Sequence, residues 1–163
     1  MELTVEQLKK EKKLVNDRLE DAINVFYTQG TSDEVSAYLR TSLMHAYIYN
    51  LCCSVPISLR NAKLCYGIFR MDRTRYAYIA CSLAEGPEGY PGESTIFIPW
   101  RDFFKYVIAD QECEGLMINS ARRSPQGSII IMSRPVLQYI TDVAEKNISD
   151  LPDNVRDEVI KGL

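Results

Sequence analysis

The most informative pattern of apolar and polar residues lies between residues 94 and 120. Residues 94–98 are β-branched and aromatic, which is typical of a half-buried strand. Residues 116–118 form a short apolar run that predicts a buried strand. Between them, five apolar residues repeat at the spacing of one helix face: Trp100, Phe103, Phe104, Val107 and Ile108. This strand–helix–strand order predicts a parallel crossover.

The N-terminal pattern predicts a long helix over residues 5–28, which Gly30 ends. Residues 31–34 form a capping pattern that opens a second helix. Two interpretations of helix 5–28 remain open, because its apolar stripe can cover its own domain or pair with another chain. The stripe consists of Leu8, Val15, Leu19, Ala22, Ile23 and Phe26.

The remaining elements predict a mixed α/β fold. Strands are predicted at 47–57, 64–71, 75–83 and 128–132, and a helix at 133–146. We expect a single α/β domain over residues 31–163, with a mixed sheet of about five strands and helices packed on it, and an N-terminal helical extension over residues 1–30. The predicted core includes Trp100, Phe103, Phe104, Val107, Ile118, Ile130 and Ile140.

Composition narrows the class of protein. A length of 163 residues suits one domain, and a net charge of −3 argues against nucleic acid as the main partner. The longest apolar run, residues 43–59, is interrupted by polar residues and by Pro56, so no membrane span is predicted. The cysteines show no C-x-x-C spacing, which indicates reduced thiols in a cytoplasmic protein. They are Cys52, Cys53, Cys65, Cys81 and Cys113.

Three patterns look like functional motifs but lack a required part. Residues 110–115 begin like a calcium loop, yet Ala121 occupies the position of the bidentate carboxylate. His45 is the only histidine, and no nucleophile motif or paired cysteine accompanies it. The glycines of residues 86–92 lead into a strand and not into a helix N-terminus, as a phosphate loop requires. We therefore predict no catalytic residue, no metal site and no cofactor.

Basic residues gather in two regions that suit anion or protein contacts. The first is the turn-rich segment 60–75, with Arg60, Lys63, Arg70, Arg73 and Arg75. The second lies around the end of predicted strand 115–119, where open α/β sheets bind ligands, and carboxylates of residues 110–114 lie in the same part of the sequence. The predicted ligand or partner contacts are Asn119, Arg122, Arg123 and Arg134.

Four short stretches carry a resemblance to a known family: residues 49–57, YAYIACS at 76–82, FIPWRDF at 97–103 and EGLMINS at 114–120. Over residues 35–144 the chain resembles the SseB N-terminal-domain family of bacterial proteins. It departs from the family pattern at Ser120, where a proline is expected, and at Ala80-Cys81-Ser82, where a Phe-Thr-Ser-like segment is expected. The resemblance implies a cytoplasmic bacterial α/β domain for interaction, without an enzymatic activity to carry over.

Two functions follow as hypotheses. The first is a non-enzymatic protein-interaction or regulatory module, whose protein partner contacts helix 5–28. The alternative is a small-molecule or anion-binding domain with a site at the C-terminal end of strand 115–119.

Overall fold

The computed structural model describes residues 16–30, 32–81, 94–120 and 128–156, which fold as one mixed α/β domain. The predicted fold class is confirmed. In chain order the elements are α1 (Asp17–Gln29), α2 (Asp33–Ile48), β1 (Cys52–Arg60), β2 (Lys63–Tyr66), β3 (Ile68–Arg70), β4 (Tyr76–Cys81), β5 (Ser94–Pro99), α3 (Trp100–Ala109), β6 (Gly115–Ser120), β7 (Ser128–Ser133) and α4 (Arg134–Ser149). No helix of the described segments has both the length and the apolar character needed to cross a membrane.

The strands form one mixed sheet of seven strands that divides in its middle. β1 and β4 pair only at Ser54 and Cys81 and then diverge. β2 fills one inner edge by pairing with β1, and β3 fills the other by pairing with β4. On the far sides, β5 pairs with β1, and β6 lies parallel to β4 and antiparallel to β7. The sheet therefore has a V-shaped opening that the β2–β3 segment lines.

Gly67 and Pro56 meet at the vertex of this opening. Gly67 donates its N–H to the carbonyl of Pro56 at 2.8 Å and accepts the N–H of Ile79 at 3.2 Å. A Cβ at position 67 would lie 2.7 Å from the Pro56 ring, so only glycine fits there without a shift. Within a strand, the N–H and C=O of one residue point to the same side. The nitrogen of Pro56, which has no hydrogen to donate, therefore faces the opening between β1 and β4, where the regular pattern of strand hydrogen bonds is already interrupted. Pro56 is thus tolerated inside a sheet.

Two predicted boundaries were wrong, for reasons of long-range packing. The predicted strand 64–71 is two strands, because its chain changes partner at Gly67. Helix α2 continues to Ile48, where a strand was predicted from residue 47, because Tyr47 is fully buried against Phe104. Asn50, at φ 56°, then turns the chain into β1.

The strand–helix–strand unit β5–α3–β6 has the predicted form. β5 and β6 both run antiparallel to β1, since β4 is antiparallel to β1 and β6 is parallel to β4. They are therefore parallel, but β1 and β4 lie between them, so the crossover does not join neighbours. All seven residues predicted for the core are buried: Trp100, Phe103, Phe104, Val107, Ile118, Ile130 and Ile140.

The described part of the predicted N-terminal extension belongs to the main core. Leu19, Ala22 and Ile23 of α1 lie in the same buried cluster as the sheet and the other helices. Asn16, just before α1, accepts the indole N–H of Trp100 at 2.9 Å and donates to the carbonyl of Cys52 at 2.8 Å. For residues 16–29 the structure supports the intramolecular interpretation of helix 5–28. Residues 5–15 lie outside the described residues, so pairing through them stays a prediction.

All five cysteines are free, and four of them are buried. Burial raises the pKa of Cys81 to about 12 and that of Cys53 well above its ordinary value. Cys53 also donates its thiol hydrogen to the carbonyl of Ile98 at 3.4 Å. Because a thiolate and not a thiol is the reactive species, these side chains act as small core residues.

Gly115 generates a stability prediction. It has φ +155°, and an added Cβ would lie 2.0 Å from the carbonyl oxygen of Met132, a backbone atom that cannot move aside. Gly115→Ala should therefore lower the free energy of unfolding by about 3 kcal/mol or more, through backbone strain plus overpacking. Urea denaturation of both proteins measures the loss.

Gly30→Ala is the matched control for Gly115→Ala. Gly30 also has a positive φ, +88°, but no atom lies within 4 Å of an added Cβ. Only the conformational cost applies, so the loss should be about 1–3 kcal/mol and smaller than that of Gly115→Ala. Equal losses at the two positions would contradict the close approach of Gly115 to β7.

Candidate functional site

The structure separates the residues that sequence analysis grouped into one site. Asn119 lies near the end of β6, where its Cα pairs with Cys81 and Ile129. Arg134 lies at the other end, because Ser133 pairs with Gly115, the first residue of β6. The two positions are about 15 Å apart along the strand at ~3.3 Å per residue. Arg122 and Arg123 lie outside the described residues.

Arg134 has a structural role in the connection that precedes β6. Its Nε donates to the carbonyl of Cys113 at 2.8 Å, and its Nη1 lies 3.4 Å from the Gln111 side-chain oxygen. The carboxylates of residues 110–114 lie at this same end, because they precede β6 and cannot reach its C-terminal end. The predicted combination of these carboxylates and Arg134 with Asn119 is therefore wrong.

The basic segment 60–75 forms the tips of two hairpins. Arg60 pairs with Lys63 across a two-residue turn in which Asn61 and Ala62 have φ 53° and 62°. Positive φ at both positions is what a type I′ hairpin requires. At the second tip, Asp72 accepts the Arg75 guanidinium at 2.6 Å and the backbone N–H groups of residues 74 and 75. Both tips are thus well-formed turns.

Two leucines next to the first tip are exposed to solvent. Leu59 on β1 pairs directly with Leu64 on β2, so their side chains lie side by side on one face. They are 75% and 53% exposed. No other residue among the exposed large apolar side chains of the described segments is as accessible as Leu59. Sequence analysis missed Leu59, because the predicted strand ended at residue 57.

The face that carries the two leucines continues into an aromatic cluster. Tyr66 lies two residues beyond Leu64 and therefore on the same face of β2. Its ring makes edge contacts with Tyr106 at 4.7 Å and with Phe103 at 5.6 Å. Tyr106, on α3, is itself 44% exposed. We call Leu59, Leu64, Tyr66 and Tyr106 the hairpin surface.

The carboxylate of Asp110 accepts hydrogen bonds from two tyrosines of the aromatic cluster. Tyr78 and Tyr76 both donate their hydroxyls to its Oδ2, at 2.7 and 2.9 Å, and the Tyr78 ring contacts Tyr106 at 5.3 Å. Partial burial raises the pKa of Asp110, but these hydrogen bonds and those from backbone N–H groups outweigh it, so the pKa lies below its ordinary value. Burial and the bond to Asp110 raise the pKa of Tyr76 to about 12. Tyr76 and Tyr78 are therefore neutral at pH 7, and Asp110 holds both of their hydroxyls.

Basic side chains lie at the tips of both hairpins. Arg60 and Lys63 are exposed at the tip, and Arg70 lies over the Tyr76 ring, 5.7 Å from its centroid. None of the ion pairs among the described residues involves these three side chains or Arg73. The arrangement combines exposed leucines with tyrosine and arginine side chains, and tyrosine and arginine are enriched among the residues that dominate binding energy at protein interfaces.

The described residues contain no group of three or more histidine, cysteine or acidic side chains that could hold a metal ion. No protein-family model, no curated protein and no solved structure matches this chain. The resemblance to the SseB N-terminal-domain family therefore stays a prediction.

The pair of Tyr78 and Asp110 generates a prediction about stability and pH. Tyr78→Phe removes a hydrogen bond to a charged group and should cost about 1.5–3 kcal/mol at pH 7. The folded-state pKa of Asp110 is lowered, so its contribution is complete above the unfolded pKa of about 3.9 and is lost as the pH falls through the folded pKa. The difference between wild type and Asp110→Asn should accordingly shrink below about pH 4.

Urea unfolding at pH 7 and pH 3 measures both effects. Tyr139→Phe is the control, because Tyr139 is exposed and should change stability by less than about 0.5 kcal/mol. A double-mutant cycle between Tyr78→Phe and Asp110→Asn should show coupling, and strict additivity would show that the bond contributes nothing.

Proposed function

We propose that this protein is a non-enzymatic interaction module that binds a partner protein through the hairpin surface. The observation that carries the proposal is the exposed cross-strand pair Leu59 and Leu64 beside the fixed ring of Tyr106. Burying a leucine side chain is worth about 1.5–3 kcal/mol, and a ring that is already fixed loses little entropy on binding. A partner that covers this surface would bury the two leucines and would pay little entropy to order the ring.

The charge around the surface indicates which partner fits. Arg60, Lys63, Arg70 and Arg73 are exposed and form no ion pair with a described residue, whereas the whole chain has a net charge of −3. These basic side chains lie at the two hairpin tips, and the carboxylate of Asp110 is engaged by Tyr76 and Tyr78. Complementary charge steers partners toward each other and excludes wrong ones. We therefore propose an acidic protein segment with apolar side chains that cover Leu59 and Leu64.

The hairpin surface replaces helix 5–28 as the proposed contact for the partner. The apolar residues of α1 that are described, Leu19, Ala22 and Ile23, are buried in the chain's own core and are not available to another chain. The SseB-like resemblance supports the same class of function, a bacterial interaction domain. Five free thiols support a reducing compartment, and we propose the cytoplasm.

A site-specific cross-link tests the proposal. A photo-reactive amino acid placed at position 64 should cross-link, inside cells, to an acidic segment of another protein. The same amino acid at position 131 is the matched control, because Ile131 is 45% exposed on the opposite face of the sheet, away from β2. Equal cross-linking from both positions, or cross-links only to a second copy of this chain, would contradict the proposed partner.

The affinity of the purified partner gives the quantitative prediction. Leu59→Ser combined with Leu64→Ser should raise the dissociation constant at least about tenfold, and Ile131→Ser should leave it unchanged. Higher salt should weaken wild-type binding, since exposed charges are screened. Equal thermal stability of all variants shows that the fold is intact. A dissociation constant that the leucine substitutions leave unchanged would reject the hairpin surface.

A further inference from the structure

The tip of the β1–β2 hairpin presents different side chains on its two faces. Leu59 pairs with Leu64, and the next pair toward the turn is Arg60 with Lys63. Successive side chains of a strand point to opposite faces, so the basic pair lies on the face opposite the leucines. Val55 alternates in step with Leu59 and packs in the main core together with the helices. The leucines are therefore on the helix side of the sheet, and the basic pair is on the other side.

The basic pair places two like charges directly opposite each other. Side chains paired in this way have Cβ atoms about 4.5–5.5 Å apart, and like charges at these positions are unfavourable. Arg60 and Lys63 are both exposed, and neither takes part in an ion pair among the described residues. The sequence contains no Asp or Glu between residues 54 and 71. The hairpin thus carries a repulsion that a carboxylate from outside these strands would offset.

The turn at this tip keeps the two charges together. Asn61 and Ala62 have φ 53° and 62°, and this tight turn keeps the strands paired up to Arg60 and Lys63. A guanidinium and an ammonium that start from paired positions can both donate hydrogen bonds to the two oxygens of one carboxylate. Two adjacent cationic donors therefore favour an acidic side chain over a neutral one.

We propose that the partner segment straddles this tip, with apolar side chains on Leu59 and Leu64 and an Asp or Glu carboxylate between Arg60 and Lys63. The inference rests on the proposed function, because the leucines provide the other half of the contact. It adds that the acidic and the apolar side chains of the partner lie on opposite sides of the hairpin. Layers that pack on a sheet lie about 10 Å from it, so at least about three to six extended residues of the partner separate the two kinds of side chain.

Neighbouring positions on β2 test the straddled arrangement, because residues 64 and 65 point to opposite faces and Cys65 shares the face of Lys63. A photo-reactive amino acid at position 65 should cross-link to the same partner as one at position 64, at a different point of one segment. Cross-links to that partner from position 64 alone would overturn this inference and leave the proposed function standing. Failure at position 64 would reject the proposed function, and this inference with it.

Charge reversal separates a carboxylate contact from a pair that only faces solvent. Lys63→Glu replaces the repulsion with an attraction to Arg60, so the free protein should melt about 1–3 °C higher. The same substitution should raise the dissociation constant of the cross-linked partner, once purified, at least about tenfold, because Glu at this position repels the carboxylate. A variant that is more stable and yet binds less well cannot owe its loss of affinity to unfolding.

Arg40→Glu is the matched control for Lys63→Glu. It makes the same change of net charge on α2, outside both hairpins, and therefore reports only long-range electrostatics. Because such effects are screened by salt, it should change the dissociation constant by less than about twofold at physiological ionic strength. An equal loss of affinity in the two variants, or an unchanged affinity in Lys63→Glu, would overturn the carboxylate contact.

Discussion

The architecture depends on the way β1 and β4 part after the single pair of Ser54 and Cys81. Two strands that diverge leave two inner edges, whose N–H and C=O groups need partners. β2 and β3 supply these partners, and the bend between them needs a glycine against Pro56. The β1–β2 hairpin that carries Leu59 and Leu64 therefore exists because the divided sheet must complete its own hydrogen bonds.

The same division connects the hairpin surface to helix α3 and to β4. Tyr66 ends β2 close to the vertex, where its ring reaches Phe103 and Tyr106 of α3. Asp110, at the end of that helix, accepts the hydroxyls of two tyrosines on β4. Helix α3, the β1–β2 hairpin and β4 are thus connected through aromatic rings. The exposed leucines extend from this connected base, which would lower the entropy lost if the proposed partner covered them.

Sequence patterns predicted local elements well and long-range pairings poorly. The helix from Trp100 and its buried face follow from the spacing of large apolar residues, which depends only on neighbours in the chain. The split at Gly67 depends on contacts with Pro56 and Ile79, which no local pattern specifies. Likewise, the sequence predicted a basic turn at Arg60 and Lys63. The exposure of Leu59 could not be predicted in this way, because it depends on where β1 ends relative to α3. The grouping of Arg134 with Asn119 failed because strand order and direction were unknown.

Asn16 shows how a requirement of the core can override a local signal in the sequence. From sequence, an asparagine before a helix is expected to cap it. Here its carbonyl oxygen instead satisfies the buried indole of Trp100, and its amide fixes the start of β1. Because an amide has one oxygen, it cannot satisfy Trp100 and cap α1 at once. The core thus determines the hydrogen bonds of Asn16, and no local pattern before α1 indicates that the indole of Trp100 lies beside it.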